Sequence, residues 1–135
     1  MNRSSYSASS SLLAMGDVHK QAYPFSAGAS QIRVEVTSLD IVAQSLDFQK
    51  QILLKIDTQG YEQEVLSGAL QTLERTQLII VETSFMELYE HQPQFPEVYS
   101  FLSRRNFEYI GSWDQFHDPR NGRPLQQDAM FLRKP

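Results

Sequence analysis

The chain has 135 residues, 41% hydrophobic and 21% charged, with a formal charge of −4 and a pI near 5.3. This is the size and composition of one ordinary globular domain. The acidic balance disfavours a broad grip on nucleic acid or on an anionic membrane. Without cysteine, disulfides, thiolate metal sites and a cysteine nucleophile are excluded, and a cytoplasmic location is expected. No apolar run approaches the roughly 18 residues of a membrane span.

Residues 1–30 show no convincing period. Six serines, Ser4, Ser5, Ser7, Ser9, Ser10 and Ser11, favour turns and local side-chain to backbone bonds. The segment reads as a serine-rich irregular loop with one short turn near Ser11–Met15. The apolar stretch Leu12–Met15 is too short for a signal core. The remainder, 31–135, reads as the folded domain.

Gln31–Val36 alternates, with Ile32, Val34 and Val36 on one face, and predicts a half-exposed strand. Thr37 or Ser38 caps a predicted helix over Leu39–Asp47. Ile52, Leu53, Leu54 and Ile56 then form an apolar run suited to a strand buried inside a parallel sheet. It ends in the polar turn Asp57-Thr58-Gln59-Gly60. A helix follows from Tyr61 to about Glu74, with Val65, Leu66, Ala69, Leu70 and Leu73 on one face. Gly68 inside it predicts a close approach of that helix to the sheet.

Gln77–Glu82 repeats the strand pattern and ends in an acid, followed by the loop Thr83-Ser84. Phe85–Tyr89 predicts a helical turn. Pro96–Arg105 predicts a helix with Pro96 in its first turn. Phe107–Trp113 and Gln127–Arg133 predict two strands joined by the loop Asp114–Pro124, hence an antiparallel pair at one edge. The fold class is α/β, with a mostly parallel sheet of about five strands.

The runs LLKIDTQGYEQEVLSGA, IIVETSF, LYEHQP and QQDAMFLR resemble the C-terminal half of the FkbM-type S-adenosylmethionine-dependent methyltransferases. Asp57-x-Gln59-Gly60-x-Glu62, followed by Val65-Leu66-x-Gly68-Ala69, carries the resemblance most specifically. The resemblance implies a Rossmann-like fold and methyl transfer to a hydroxyl of a sugar or other small-molecule acceptor, with S-adenosylmethionine as donor. It also implies an N-terminal glycine-rich half, and no G-x-G turn precedes Asp40. The chain therefore reads as a fragment, with the missing half or a second copy as its expected partner.

At the carboxyl end of its strand, Asp57 either orients or deprotonates a hydroxyl or caps the next helix. Glu62 either completes a cap or projects into the cleft. Glu82, on the same sheet edge, either shares proton transfer with Asp57 or bonds a neighbouring loop. These three are the candidate catalytic residues, while Ser84, Tyr89 and Gln92 are candidates for contact with the acceptor. Asp114, His117, Asp118 and Asp128 do not encode the convergence that a metal requires, so no metal site is expected. Trp113 and Phe116 read as packing residues. The alternative to an enzyme is a non-catalytic truncated domain that self-associates or binds a partner through an uncovered sheet edge. A metal-dependent hydrolase built on the acid–histidine loop is the weakest reading.

Overall fold

The computed structural model describes residues 1–48 and 51–135. The serine-rich start carries short elements in place of the predicted loop. Strand β1 (Asn2–Ser4) pairs antiparallel with β2 (Ala29–Gln31), and helix α1 (Asp17–Ala22) lies between them in the chain. The serine hydroxyls bond local backbone as predicted, Ser4 Oγ accepting from the Tyr6 N–H at 3.1 Å and Ser11 Oγ from the Leu13 N–H at 2.9 Å, and they also reach distant backbone. Ser4 Oγ donates to the Ser26 carbonyl at 2.6 Å, and Ser11 Oγ to the Gln59 carbonyl at 2.7 Å. The first closes the segment on itself, and the second ties it, without a hydrophobic period, onto the rest of the chain.

The predicted strand Gln31–Val36 is not formed. Only Gln31 belongs to β2, and Ile32, Val34 and Val36 are exposed. Alternation sets which side chains share a face, but a strand also needs a neighbour for its backbone. Ile32 exchanges backbone bonds with Met1 at 2.8 and 3.0 Å, but among the described residues no strand pairs with 33–36, and the segment does not slide in beside Ile52–Ile56.

Helix α2 (Leu39–Ala43) starts as predicted, with Ser38 Oγ accepting from the Ile41 N–H at 3.3 Å, but stops short of Asp47. Strand β3 is Ile52–Ile56. The single helix expected after it is two: α3 (Glu62–Ser67) and α4 (Leu70–Arg75). Gly68 sits at the break. A Cβ there would lie 3.1 Å from Ser38 Cβ, and its carbonyl accepts from the Asp40 N–H at 2.9 Å. The close approach is thus to the start of α2, not to the sheet. Asp40 fastens the same joint by accepting from the N–H groups of Gln71 at 3.0 Å and Thr72 at 2.8 Å.

Strand β4 (Thr76–Ser84) is longer than predicted. Phe85–Tyr89 makes bends, not a helical turn. Helix α5 (Phe95–Ser103) opens with a reciprocal cap between Gln94 and Glu97 and has Pro96 in its first turn. Strands β5 (Phe107–His117) and β6 (Pro124–Arg133) absorb both ends of the predicted Asp114–Pro124 loop.

Among the described residues the main sheet has four strands in the order β3-β4-β6-β5, not five. Only β3–β4 is a parallel pairing; β4–β6 and β6–β5 are antiparallel. The sheet is therefore mixed, which corrects the mostly parallel expectation. The antiparallel β5–β6 edge pair stands as predicted. Burial of Leu66, Leu73, Val98, Phe101 and Leu102 with Ile56, Ile79, Val81, Ala129 and Phe131 places α3, α4 and α5 on one sheet face.

The opposite face carries Leu53 beside Leu78, Leu78 beside Leu132, and Lys55 beside Ile80. Leu53 is 58% and Leu132 45% exposed, so this face is open. The strand predicted to be central, β3, is an edge strand among the described residues. No helix among them is long and apolar enough to cross a membrane.

Candidate functional site

Alternation along β3, β4 and β6 puts Lys55, Asp57, Glu82, Gln126 and Asp128 on the open face. Glu82 stands directly across from Asp128. All five gather where β3 and β4 end and β6 begins, at the carboxyl end of the parallel pair.

Gln59 joins the two acids. Its Nε2 donates to Asp57 Oδ1 at 2.8 Å and to Glu82 Oε2 at 2.9 Å. Gln126 Nε2 donates to the other Glu82 oxygen at 2.5 Å. Lys55 Nζ lies 2.6 Å from Asp128 Oδ1 and 3.8 Å from Asp57 Oδ2. Glu82 is 7% exposed, whereas the Asp57 side chain is 46% exposed. Burial, and then the charges of Asp57, Glu62 and Asp128, push the Glu82 carboxyl up to about 8 against the opposing pull of Lys55. Near neutrality the pair thus holds a proton on its buried member and presents Asp57 towards solvent.

Glu62 turns inward. Its Oε1 accepts from the Thr58 N–H at 2.9 Å, the Gly60 N–H at 3.1 Å and the Thr58 hydroxyl at 3.2 Å. Burial raises its proton affinity and these donors oppose the rise. Gly60 adopts φ 99°, and a Cβ there would lie 3.1–3.2 Å from Tyr89 Cβ, Gln92 Cβ and Leu13 Cδ1. The turn is therefore clamped between the serine-rich segment and the loop after β4.

The three residues expected to touch an acceptor are buried, and they brace that loop. Gln92 Oε1 accepts from the N–H groups of Leu88 at 2.6 Å and Tyr89 at 2.7 Å, and its Nε2 donates to Ser84 Oγ at 2.9 Å. Tyr89 Oη donates to Gln59 Oε1 at 2.9 Å and lies 3.2 Å from the Ser9 carbonyl. A cleft of about 580 Å³ opens beside them, lined by Gly16, Val18, Phe85, Met86 and Gln94 among others, but by none of Asp57, Glu82, Ser84, Tyr89 or Gln92.

The acid–histidine loop does not converge. Asp118 binds the Arg120 guanidinium, which holds its carboxyl down to about 2. Asp114 accepts from the Gln115 N–H, and Asp128 pairs with Lys55. Trp113 is 73% exposed and Phe116 44%, so neither is the packing residue the sequence predicts. On this outer stretch of β5, alternation continues without a covering layer.

Sequence reasoning left out Lys55 and Gln126 and gave Gln59 no role beyond its place in the turn motif. A signal for Lys55 existed: it is the one charge inside an apolar run and lies two residues before Asp57, hence on the same face of the strand. Gln126 shows no signal until the β4–β6 register is known.

A cradle for a nucleoside-bearing methyl donor needs glycines whose missing Cβ leaves room for it. A Cβ at Gly16 would meet the Leu88 carbonyl at 3.0 Å, and one at Gly28 would meet Ser5 Oγ at 3.3 Å. Gly60 and Gly68 are likewise packed against protein, and Gly111 and Gly122 face open space. Among the described residues no glycine turn follows a strand to form a cradle, so these residues do not fit the donor.

The Methyltransferase FkbM domain matches residues 2–109, which includes Asp57, Gln59, Glu62 and Glu82 and ends within β5, before Gln126 and Asp128. No curated protein and no solved structure gives a significant match. The domain match spans most of the chain, and with it the chain belongs to the FkbM methyltransferase family.

Proposed function

We propose that this chain is the acceptor-side part of a Rossmann-like, S-adenosylmethionine-dependent methyltransferase that methylates a hydroxyl of a small molecule or sugar. The observation that carries the reading is the Asp57–Gln59–Glu82 arrangement at the carboxyl ends of two parallel strands. Asp57 Oδ1 is committed to Gln59, while Oδ2 has only a loose contact with Lys55. An acceptor hydroxyl donating to Oδ2 would be oriented and partly relieved of its proton, which is the work a positioned carboxylate does in general base catalysis. The surrounding acids favour acceptors without negative charge.

Because the described residues form no donor cradle, the donor is assigned to a further polypeptide segment, joined along β3. The test is calorimetric titration of the folded chain with S-adenosylmethionine and with its demethylated product. The expected result is no binding by the chain alone and binding once a donor-binding segment is supplied. Micromolar binding by the chain alone would move the donor site onto this chain. No binding under either condition would sink the enzymatic reading.

The second reading is a non-catalytic domain that self-associates or binds a partner. The β3 edge, which no strand covers among the described residues, and the exposed Leu53 favour it, since an unpaired apolar edge is a template for another strand.

A further inference from the structure

Gln59 has φ 55°, a left-handed backbone conformation that is uncommon for residues other than glycine, asparagine and aspartate. The backbone gives no reason for glutamine at this position, whereas its side chain does. Both N–H groups of the amide are spent, one on Asp57 and one on Glu82. Were the amide reversed, its oxygen would face the ionised Asp57 Oδ1 at 2.8 Å, which repels it, and the bond donated to Glu82 would be lost.

The reversal is prevented from the far side. Tyr89 Oη has one hydrogen, and the shorter of its two contacts is the 2.9 Å bond to Gln59 Oε1. Tyr89 is itself fixed, with 2% of its surface exposed and its N–H held by Gln92. Burial, and then the charge of Glu82, raise its proton affinity, so the hydroxyl remains a donor.

We propose that Tyr89 and Gln59 are positioning residues: the Tyr89 hydroxyl fixes the Gln59 amide with its NH2 group towards the strand ends, and that NH2 group holds Asp57 and Glu82 as one carboxylate pair facing the acceptor. The proposal rests on the methyltransferase reading for the word acceptor only. The hydrogen-bond chain itself does not depend on that reading.

The experiment is a pH titration of the Glu82 side-chain carboxyl by carbon NMR in the full chain, with the resonance assigned by its loss in Glu82→Gln. Gln59→Leu removes one donor to the carboxylate, so the Glu82 midpoint is expected to rise by about one pH unit. Tyr89→Phe leaves the amide but frees it to turn, and is expected to shift the midpoint in the same direction by less. Gln59→Asn tolerates the left-handed backbone better but is one methylene too short to bridge both acids. It is expected to behave like Gln59→Leu and guards against a variant that fails to fold.

A purely structural role predicts lower melting temperatures with an unmoved Glu82 midpoint, and that result in both Gln59 variants overturns the proposal. An unmoved midpoint in Tyr89→Phe alone removes Tyr89 from it. In the assembled methyltransferase, the pH–rate profile is expected to move with the midpoint. Absence of methyl transfer from every form would count against the enzymatic reading, while the titration decides the positioning role separately.

Discussion

At the scale of single residues, one carboxyl dominates the electrostatics of the site. Glu82 is buried among other acids, and its proton affinity is raised from 4.5 in a free side chain to about 8. The folded state therefore binds a proton that the unfolded chain has already lost between those two values. Stability is fully present below the lower value and falls as pH rises through the upper one. Each pH unit in that window costs at most about 1.4 kcal/mol. Glu82→Gln is accordingly expected to flatten the fall in melting temperature between about pH 5 and 8. Glu62 is raised in the same direction by burial, so part of the slope should remain. Thermal melts across that range check this; an undiminished slope in the variant would rule out Glu82 as its source.

At the scale of elements, the joint between α2 and α4 shows how short helices are made to persist. Helices of five and six residues are too short to be stable alone. Here Asp40, in the first turn of α2, supplies the cap that α4 lacks at its own N-terminus, while Gly68 lets the two elements touch. Burial pushes the Asp40 carboxyl up, but the bonds from Gln71 and Thr72 outweigh it and hold the carboxyl below its usual range. Asp40→Ala is expected to cost about 1 kcal/mol. The readout is a lower denaturant midpoint with an unchanged slope; an unmoved midpoint would show that the cap is dispensable.

At the scale of the whole molecule, the layering is one-sided. Helices α3, α4 and α5 cover one face of the sheet, and on the other Leu53 and Leu132 meet solvent. Strands with apolar side chains on both faces are the mark of a sheet covered on both sides. The carboxylate site lies on that open face, so whatever covers the face also closes the site. Self-association through β3 is the simplest outcome for the isolated chain. Leu53→Lys puts a charge on this edge and is expected to shift the sedimentation coefficient towards monomer while leaving the fold intact. A wild-type chain that stays monomeric at high concentration would remove self-association through this edge.

The sequence by itself determined where most elements of the main sheet lie. Apolar runs mark β3, β4 and β6, the Pro96 signal marks α5, and the Asp57–Gly60 turn marks the site, because these depend on neighbours within a few residues. It also brought out Asp57 and Glu82, since each is the acid that ends an apolar run. What only the tertiary structure decided depends on pairing across the chain. Alternation at Gln31–Val36 looks like a strand, yet among the described residues only its first residue, Gln31, pairs with one. The place of β6 between β4 and β5 follows from register and not from local pattern, and that register brings Asp128 and Gln126 to Glu82. The serine-rich start has no period at all, and it is ordered by hydroxyls that reach backbone far along the chain, as Ser11 does at Gln59. Local patterns encode faces and ends. Which face meets which partner is set by packing between segments far apart in sequence.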